Sequence, residues 1–393
     1  MNRLWLVAFA ALAPLVLGAC RAKSDSSARH DAATIPSATS RANTNARLAA
    51  MRSSARVPGA AYALVCHDGV LEAGGDGVRD TSVDAASNTV TADTLFEVAS
   101  IAKPIVATCV MQLAEAKRLD LDADASIYLP FRLRSPHAPN VVITLRMLLA
   151  HVASIVDPEG PLAHEPRTTP LARHLEEVFL GGKHHPRTEA FSAAAPGTAM
   201  RYSNVGVSLA ALAVERASGE PFSHYAEAHV FVPLRMKHAT YEAPPSDAAV
   251  PHRGTTPLPR PSHALYPIVD LHASADDLGR FAQAILRGGE LDGARILSAT
   301  SVEEMLRPPF PAVAPDQALG WQLRTFGERA TAGHEGEDQG ASTAMFLDRT
   351  AGAAAIVLTN GDAFTSGEAS RSTALGSFLT NLLRTPACPA ATR

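Results

Sequence analysis

The sequence predicts an α+β fold built on an antiparallel β-sheet. Two strand–turn–strand patterns, one near each end of the chain, and a middle dominated by helical patterns carry that expectation. No second linker interrupts the body, so residues 46–388 are expected to form one folded unit with two lobes.

Each element follows from its own residues. The N-terminus has one early positive charge, Arg3, and then an apolar run from Leu4 to Leu17. Leu17-Gly18-Ala19-Cys20 closes that run with small residues before a cysteine, which resembles a bacterial lipoprotein signal over residues 1–20 with Cys20 as the lipid acceptor. Acyl chains on one cysteine, at about 0.8 kcal/mol per buried methylene, would hold the protein on a membrane surface without a spanning helix. A plain cleaved signal with an incidental cysteine is the other reading, and both export the protein. Residues 21–45 are Ser, Ala, Thr, Asn and Arg with almost no large apolar residue, and read as a flexible tether.

At the start of the body, Ala60–Cys66 and Val70–Ala73 flank His67-Asp68-Gly69 as a hairpin. Ser342–Asp348 and Ala353–Thr359 form a second one, so the chain ends are expected to share one sheet. Between them, helices are expected over Ile101–Lys117, over Leu145–His151, over Val207–Ala217 closed by Gly219, and over Ala275–Arg287 closed by Gly288. The proline-rich stretches 244–261 and 308–315 read as long loops able to rim a site.

Bulk composition excludes some functions. Net charge is −4 with both signs interspersed and no basic run, which argues against nucleic acid. If Cys20 carries lipid, Cys66, Cys109 and Cys388 allow one disulfide at most. Their spacing matches no metal or redox motif. Lys183-His184-His185 reads as an exposed loop, since neighbouring histidines in an extended chain face opposite ways.

Lysine use singles out a catalytic candidate. The chain has 5 Lys against 30 Arg, and Lys103 is the one charged residue from Val98 to Ala114. Arginine stays protonated, whereas a desolvated lysine can become neutral and act as a base. Ser100 lies three residues earlier, on the same helical face and at the positive end of the helix dipole, where an oxyanion is stabilised. Pro104 requires the helix to begin near Ser100. Cys109, further along that helix, reads as core packing. Tyr202-Ser203-Asn204 follows the Pro196-Gly197 turn; in an extended stretch Tyr202 and Asn204 face one cleft and Ser203 faces away. His334-Glu335-Gly336 precedes the second hairpin, its glycine letting substrate approach the backbone.

Ser-x-x-Lys, Tyr-x-Asn and His-x-Gly in this order resemble the serine β-lactamase and penicillin-binding-protein superfamily, in its class C-like branch. Thr94-Leu95-Phe96, Ala275-Asp276-Asp277-Leu278, Gly320-Trp321 and Leu358-Thr359-Asn360-Gly361 extend the resemblance over residues 57–383. It implies an antiparallel sheet flanked by helices with an all-helical lobe, the site lying between. It also implies an acyl-enzyme serine hydrolase of small ester or amide substrates, with no cofactor or metal. Ser100 would attack, Lys103 and Tyr202 would move protons, and Asn204 and His334 would hold the substrate. The N–H groups of Ser100 and of Glu337, after Gly336, would form the oxyanion hole.

The chain departs from that family at three places. His151-Val152-Ala153-Ser154 lacks a glycine, so a different turn is expected. Val269-Asp270-Leu271-His272 replaces a glycine-rich stretch. His334 stands where β-lactamases keep lysine, with Glu335, Glu337 and Asp338 around it; these acids are expected to repel anionic substrates while favouring a charged imidazole. The alternative to an enzyme is a catalytically weak relative that uses the cleft to bind cell-wall fragments or a partner.

Overall fold

The computed structural model describes residues 38–84, 86–160, 165–181, 187–363, 369–384 and Cys388. The Cys20 region and Lys183-His184-His185 lie outside the described residues. The main strands are β1 (Gly59–Cys66), β2 (Gly69–Gly77), β3 (Phe96–Glu97), β4 (His272–Ala273), β5 (Gln322–Phe326), β6 (Arg329–Asp338), β7 (Ala341–Asp348) and β8 (Ala353–Thr359). The main helices are α1 (Ala38–Ala55), α2 (Ala102–Glu115), α3 (Leu145–Leu149), α4 (Leu171–Leu180), α5 (Asn204–Ser218), α6 (Ala275–Leu286) and α7 (Ala369–Arg384).

Six strands form one sheet in the order β2-β1-β8-β7-β6-β5. Strand β1 pairs with β8 antiparallel from Ala60↔Thr359 to Cys66↔Ala353, so the two ends of the body share the sheet centre. Helices α1 and α7 cover one face through Leu48, Met51, Phe378 and Leu382, and α6 covers the other through Leu278, Phe281 and Ile285. Because both faces are covered, β1 reads as an unbroken apolar run instead of an alternating one. Helices α2 to α5 make up the helical lobe, packed through Ile105, Leu148, Leu175 and Leu209.

Several boundaries differ from expectation. Strand β2 runs on to Gly77 because its glycines allow close approach: a Cβ at Gly75 would lie 2.5 Å from the Val90 carbonyl. The tether expected to reach residue 45 ends earlier, since α1 begins at Ala38. Leu48, Met51 and Ala55 give α1 a stripe buried against α7, and the small residues before them extend the helix without contributing a visible apolar pattern. Helix α5 starts at Asn204, three residues early. The Ser203 hydroxyl caps it by accepting from the Gly206 N–H, and Gly219 closes it at φ 82°. Strand β6 is longer than the short strand expected around Gly336, and β5, with its charged and polar residues, carries no strand signal.

The turn after α3 puts two residues in the left-handed region without glycine, His151 at φ 58° and Ser154 at φ 62°. Of the two proline-rich loops, residues 258–263 line the cavity that also holds Ser100. The other instead packs Phe310, Val313 and Ala314 against Ala150 and Val152, beside His151. Cys66 and Cys388 form a disulfide that ties the chain's end to the end of β1. Cys109 is a buried thiol that burial makes harder to ionise.

Candidate active site

A single helical turn, Ala99–Ile101, carries Ser100 out of β3 and into α2. It is anchored from both sides: the Val98 N–H donates to the Leu271 carbonyl at 2.9 Å, and the Val98 carbonyl accepts from the Thr343 hydroxyl at 2.9 Å. Strand β6 comes so close to this turn that a Cβ on Gly336 would lie 2.3 Å from the Val98 carbonyl oxygen and 3.3 Å from the Ser100 nitrogen. Only glycine allows the two backbones to meet.

Two side chains converge on Ser100 Oγ. Lys103 Nζ lies 2.7 Å from it, and the Tyr202 hydroxyl donates to it at 3.0 Å. Lys103 is 0% exposed, and burial brings its pKa down to about 7 from the ordinary 10.5, with Asp157 and Asp338 pulling weakly the other way. Near neutrality a large share of Lys103 is therefore a free amine, able to accept the Ser100 proton. Tyr202 keeps 36% of its surface exposed, yet its hydroxyl sits at the enclosed end, where burial raises it above the usual phenol range. It remains a phenol and can relay a proton only while another group takes one up.

Residues that sequence reasoning missed hold Tyr202 in place. The buried His151 ring packs on the phenol with centroids 4.4 Å apart, and its Nδ1 accepts the Ser203 N–H at 3.1 Å. Burial, then the Lys103 charge, lowers the His151 pKa to about 3, so the ring is neutral. Asp157 accepts from the Ser203 hydroxyl at 2.6 Å and from the Asn204 and Val205 N–H groups at 2.8 and 3.0 Å. A carboxylate at a helix N-terminus is stabilised there. Asp157 lies 46 residues from Ser203, so no local pattern announces it.

The free edge of β6 faces the cleft. Pairing of β6 with β5 ends at Gly333↔Gln322, and the Glu335 N–H then donates to the Gln322 side chain at 3.3 Å. Two residues on, the Glu337 N–H points the same way but lies past the end of β5. The first predicted oxyanion donor, the Ser100 N–H, lies where the same edge meets the nucleophile's turn.

The cleft itself is a cavity of about 440 Å³ whose lining includes Ser100, Asn204, Glu337, Asp338, Arg260 and His263. Ser100, Asn204 and Glu337 line it, while Lys103 and Tyr202 reach Ser100 Oγ from behind and Gly336 abuts the turn that carries Ser100. His334 is placed differently from expectation. It is 1% exposed, its ring centroid lies 6.1 Å from that of Tyr202, and its Nδ1 lies 2.5 Å from the Glu335 carbonyl oxygen, so it stands behind the cleft as Lys103 does. Its pKa is pushed well below the ordinary value by burial and then by Lys103, so the ring is neutral. The acids expected to favour a charged imidazole do not decide its state, because burial and the Lys103 charge lower its pKa.

The chain is similar to several proteins of known kind. The chain is 29% identical to "Penicillin-binding protein 4" of Amycolatopsis lactamdurans over 81% of this chain and 85% of that one. It is 29% identical to "Esterase EstB" of Burkholderia gladioli, over 52% of each. Among solved structures, the D-amino acid amidase of Ochrobactrum anthropi SV3 superposes with a TM-score of 0.66 at 23% identity, covering 86% of this chain and 99% of that one. A family model described as "Beta-lactamase" matches residues 44–379, and with that match the chain belongs to the β-lactamase family of serine hydrolases.

Proposed function

We propose that this serine hydrolase forms an acyl-enzyme on Ser100 and acts on neutral esters and amides in preference to β-lactams. The observation that carries the reading is the convergence of Lys103 Nζ and the Tyr202 hydroxyl on one serine oxygen. Lys103 takes the Ser100 proton as Oγ attacks the carbonyl carbon, and the Ser100 and Glu337 N–H groups receive the oxyanion. The proton then passes through Tyr202 to the leaving group. The Ser-x-x-Lys, Tyr-x-Asn, His-x-Gly order favours the class C-like branch, and the esterase relative supports ester substrates.

Charge around the cleft supports the preference. Glu165, Glu337 and Asp338 line the cavity, and no charged imidazole at His334 offsets them, although Arg260 contributes one cation and His263, its pKa raised despite burial by Asp270, a partial one. Short-chain p-nitrophenyl esters are expected to turn over at least tenfold faster, by kcat/KM, than nitrocefin and benzylpenicillin, which carry a carboxylate. Equal rates would contradict the preference. Full-length folded protein that turns over neither class, yet retains a peptidoglycan fragment on a column, would favour the binding-protein reading.

Burial of Lys103 sets the position of the acid limb, and Asp157 shifts it upward. Its charge raises the pKa of Lys103, so Asp157→Asn moves that limb to lower pH. The pH dependence of kcat/KM checks the direction, and a limb that moves upward or stays fixed would contradict it.

The reading includes export and a lipid on Cys20. The Leu4–Leu17 run and Leu17-Gly18-Ala19-Cys20 support it, as does the Cys66–Cys388 disulfide, a bond that persists in oxidising compartments. No helix among the described residues is long and apolar enough to cross a membrane. Metabolic labelling with an alkyne fatty acid, lost in Cys20→Ala, tests the anchor.

A further inference from the structure

The wall that closes the cleft carries an aspartate–histidine pair that the steps above do not use. His263 and Ser100 line the same cavity. His263 Nδ1 lies 2.7 Å from Asp270 Oδ1, and the His263 backbone N–H donates to Asp270 Oδ2 at 2.8 Å. Asp270 is buried and gives both oxygens to this one residue, which fixes the ring and places its proton on Nδ1. Nε2 is left as the basic atom; its nearest carboxylate oxygen, Asp338 Oδ2, is 3.8 Å away, too far for a hydrogen bond. The segment is held by the Leu258 N–H on the Pro251 carbonyl and the Ala264 N–H on the Glu165 carbonyl, each at 2.8 Å. Asp270 stands in the stretch Val269-Asp270-Leu271-His272, where the sequence departs from the resemblance.

Hydrolysis of an acyl-enzyme needs a base on the side from which water arrives. Lys103 is fully buried with its Nζ on Ser100 Oγ, and the Tyr202 hydroxyl is held 3.0 Å from the same oxygen, which it must reprotonate when the acyl group leaves. We propose that His263, oriented by Asp270, is the general base of deacylation, a step that rests on the acyl-Ser100 reading. His263 Nε2 takes a proton from water as the water oxygen bonds to the acyl carbon. The tetrahedral intermediate collapses, the bond from carbon to Ser100 Oγ breaks, and the acid product leaves. Oγ takes its proton from the Tyr202 hydroxyl, and the imidazolium proton returns through cleft water to the phenolate. The charged and titratable groups nearest His263 are Asp270, Asp338 and, behind Asp338, the buried Glu97 carboxyl, and Arg260, Glu165, His174 and Glu337 line the same cavity. Burial lowers the His263 pKa, but the Asp270 hydrogen bond and the two carboxylates outweigh it and raise the ring above its ordinary value, making it a stronger base once neutral.

The test compares wild type, His263→Gln and Asp270→Asn on p-nitrophenyl acetate by stopped flow and intact mass. Fluorophosphonate labelling of Ser100 at the wild-type rate establishes that each variant is folded and competent in acylation. His263→Gln is expected to release one equivalent of nitrophenol in a burst, to turn over about 100-fold more slowly afterwards, and to accumulate an acetyl adduct on Ser100. Asp270→Asn is expected to show the same split, smaller, with its deacylation pH limb moved down because His263 has lost its carboxylate. Steady turnover within twofold of wild type in both variants, or burst and turnover falling together without an adduct, overturns the proposal. A wild type that neither labels nor bursts removes the acyl-serine reading itself, and this step with it.

Discussion

Gly336→Ala is expected to reduce kcat/KM on esters by 100-fold or more and to destabilise the fold. The added Cβ would meet the Thr343 hydroxyl at 2.2 Å and the Val98 carbonyl at 2.3 Å. Thr343 can rotate away only by releasing its hydrogen bond to Val98, and the backbone carbonyl cannot yield without moving the Ser100 turn. The oxyanion donors then separate, and loss of one such donor costs about 10²–10³ in rate. Overpacking of this kind costs about 1–3 kcal/mol, which thermal unfolding of the purified variant checks. A variant with full activity would show that β6 does not form the oxyanion site.

Lys103→Met is expected to lose at least 1,000-fold in acylation while gaining stability. The loss follows from removing the base that activates Ser100. The gain follows from linkage. The folded pKa of about 7 lies below the ordinary 10.5, so the unfolded chain binds a proton that the folded chain resists. Below pH 7 the folded protein bears the full penalty of holding a buried ammonium, and between pH 7 and 10.5 that penalty fades. Methionine, of similar shape and uncharged, removes it. The Met variant should therefore unfold at a higher temperature than wild type at pH 6, with the difference shrinking toward pH 10. In wild type, kcat/KM should rise about tenfold per pH unit below pH 7 and level off above it. Activity that is flat from pH 5 to 9 would contradict Lys103 as the base.

How much of this was legible in the sequence depended on whether the signal was local. Lys103 stood out because the chain otherwise uses arginine, and Ser100 and Pro104 fixed where the helix begins. Both outer hairpins were legible because their apolar runs are bounded by turn residues. Strand β6 was not, since Gly333, Gly336 and its acidic residues deplete the strand signal at the point where close backbone approach requires them. The Tyr202 position was found from spacing, but its cause was misread. Asn204 opens a helix capped by Ser203 and Asp157 in place of continuing an extended stretch. The acidic sequence neighbours of His334 favour a charged ring, whereas tertiary burial decides its state. Asp157, His151 and the His263–Asp270 pair come from loops far apart in the chain, and only the fold brings them to the cleft.

The most direct test of the central claim is intact-mass and peptide mapping after treatment with a fluorophosphonate, alongside p-nitrophenyl ester turnover, for wild type, Ser100→Ala and Lys103→Met. The expected result is one label on Ser100 in wild type with ester turnover, no label in Ser100→Ala, and labelling slowed at least 1,000-fold in Lys103→Met. Folded wild-type protein that takes no label at Ser100, or ester turnover that survives Ser100→Ala, would contradict the acyl-serine mechanism.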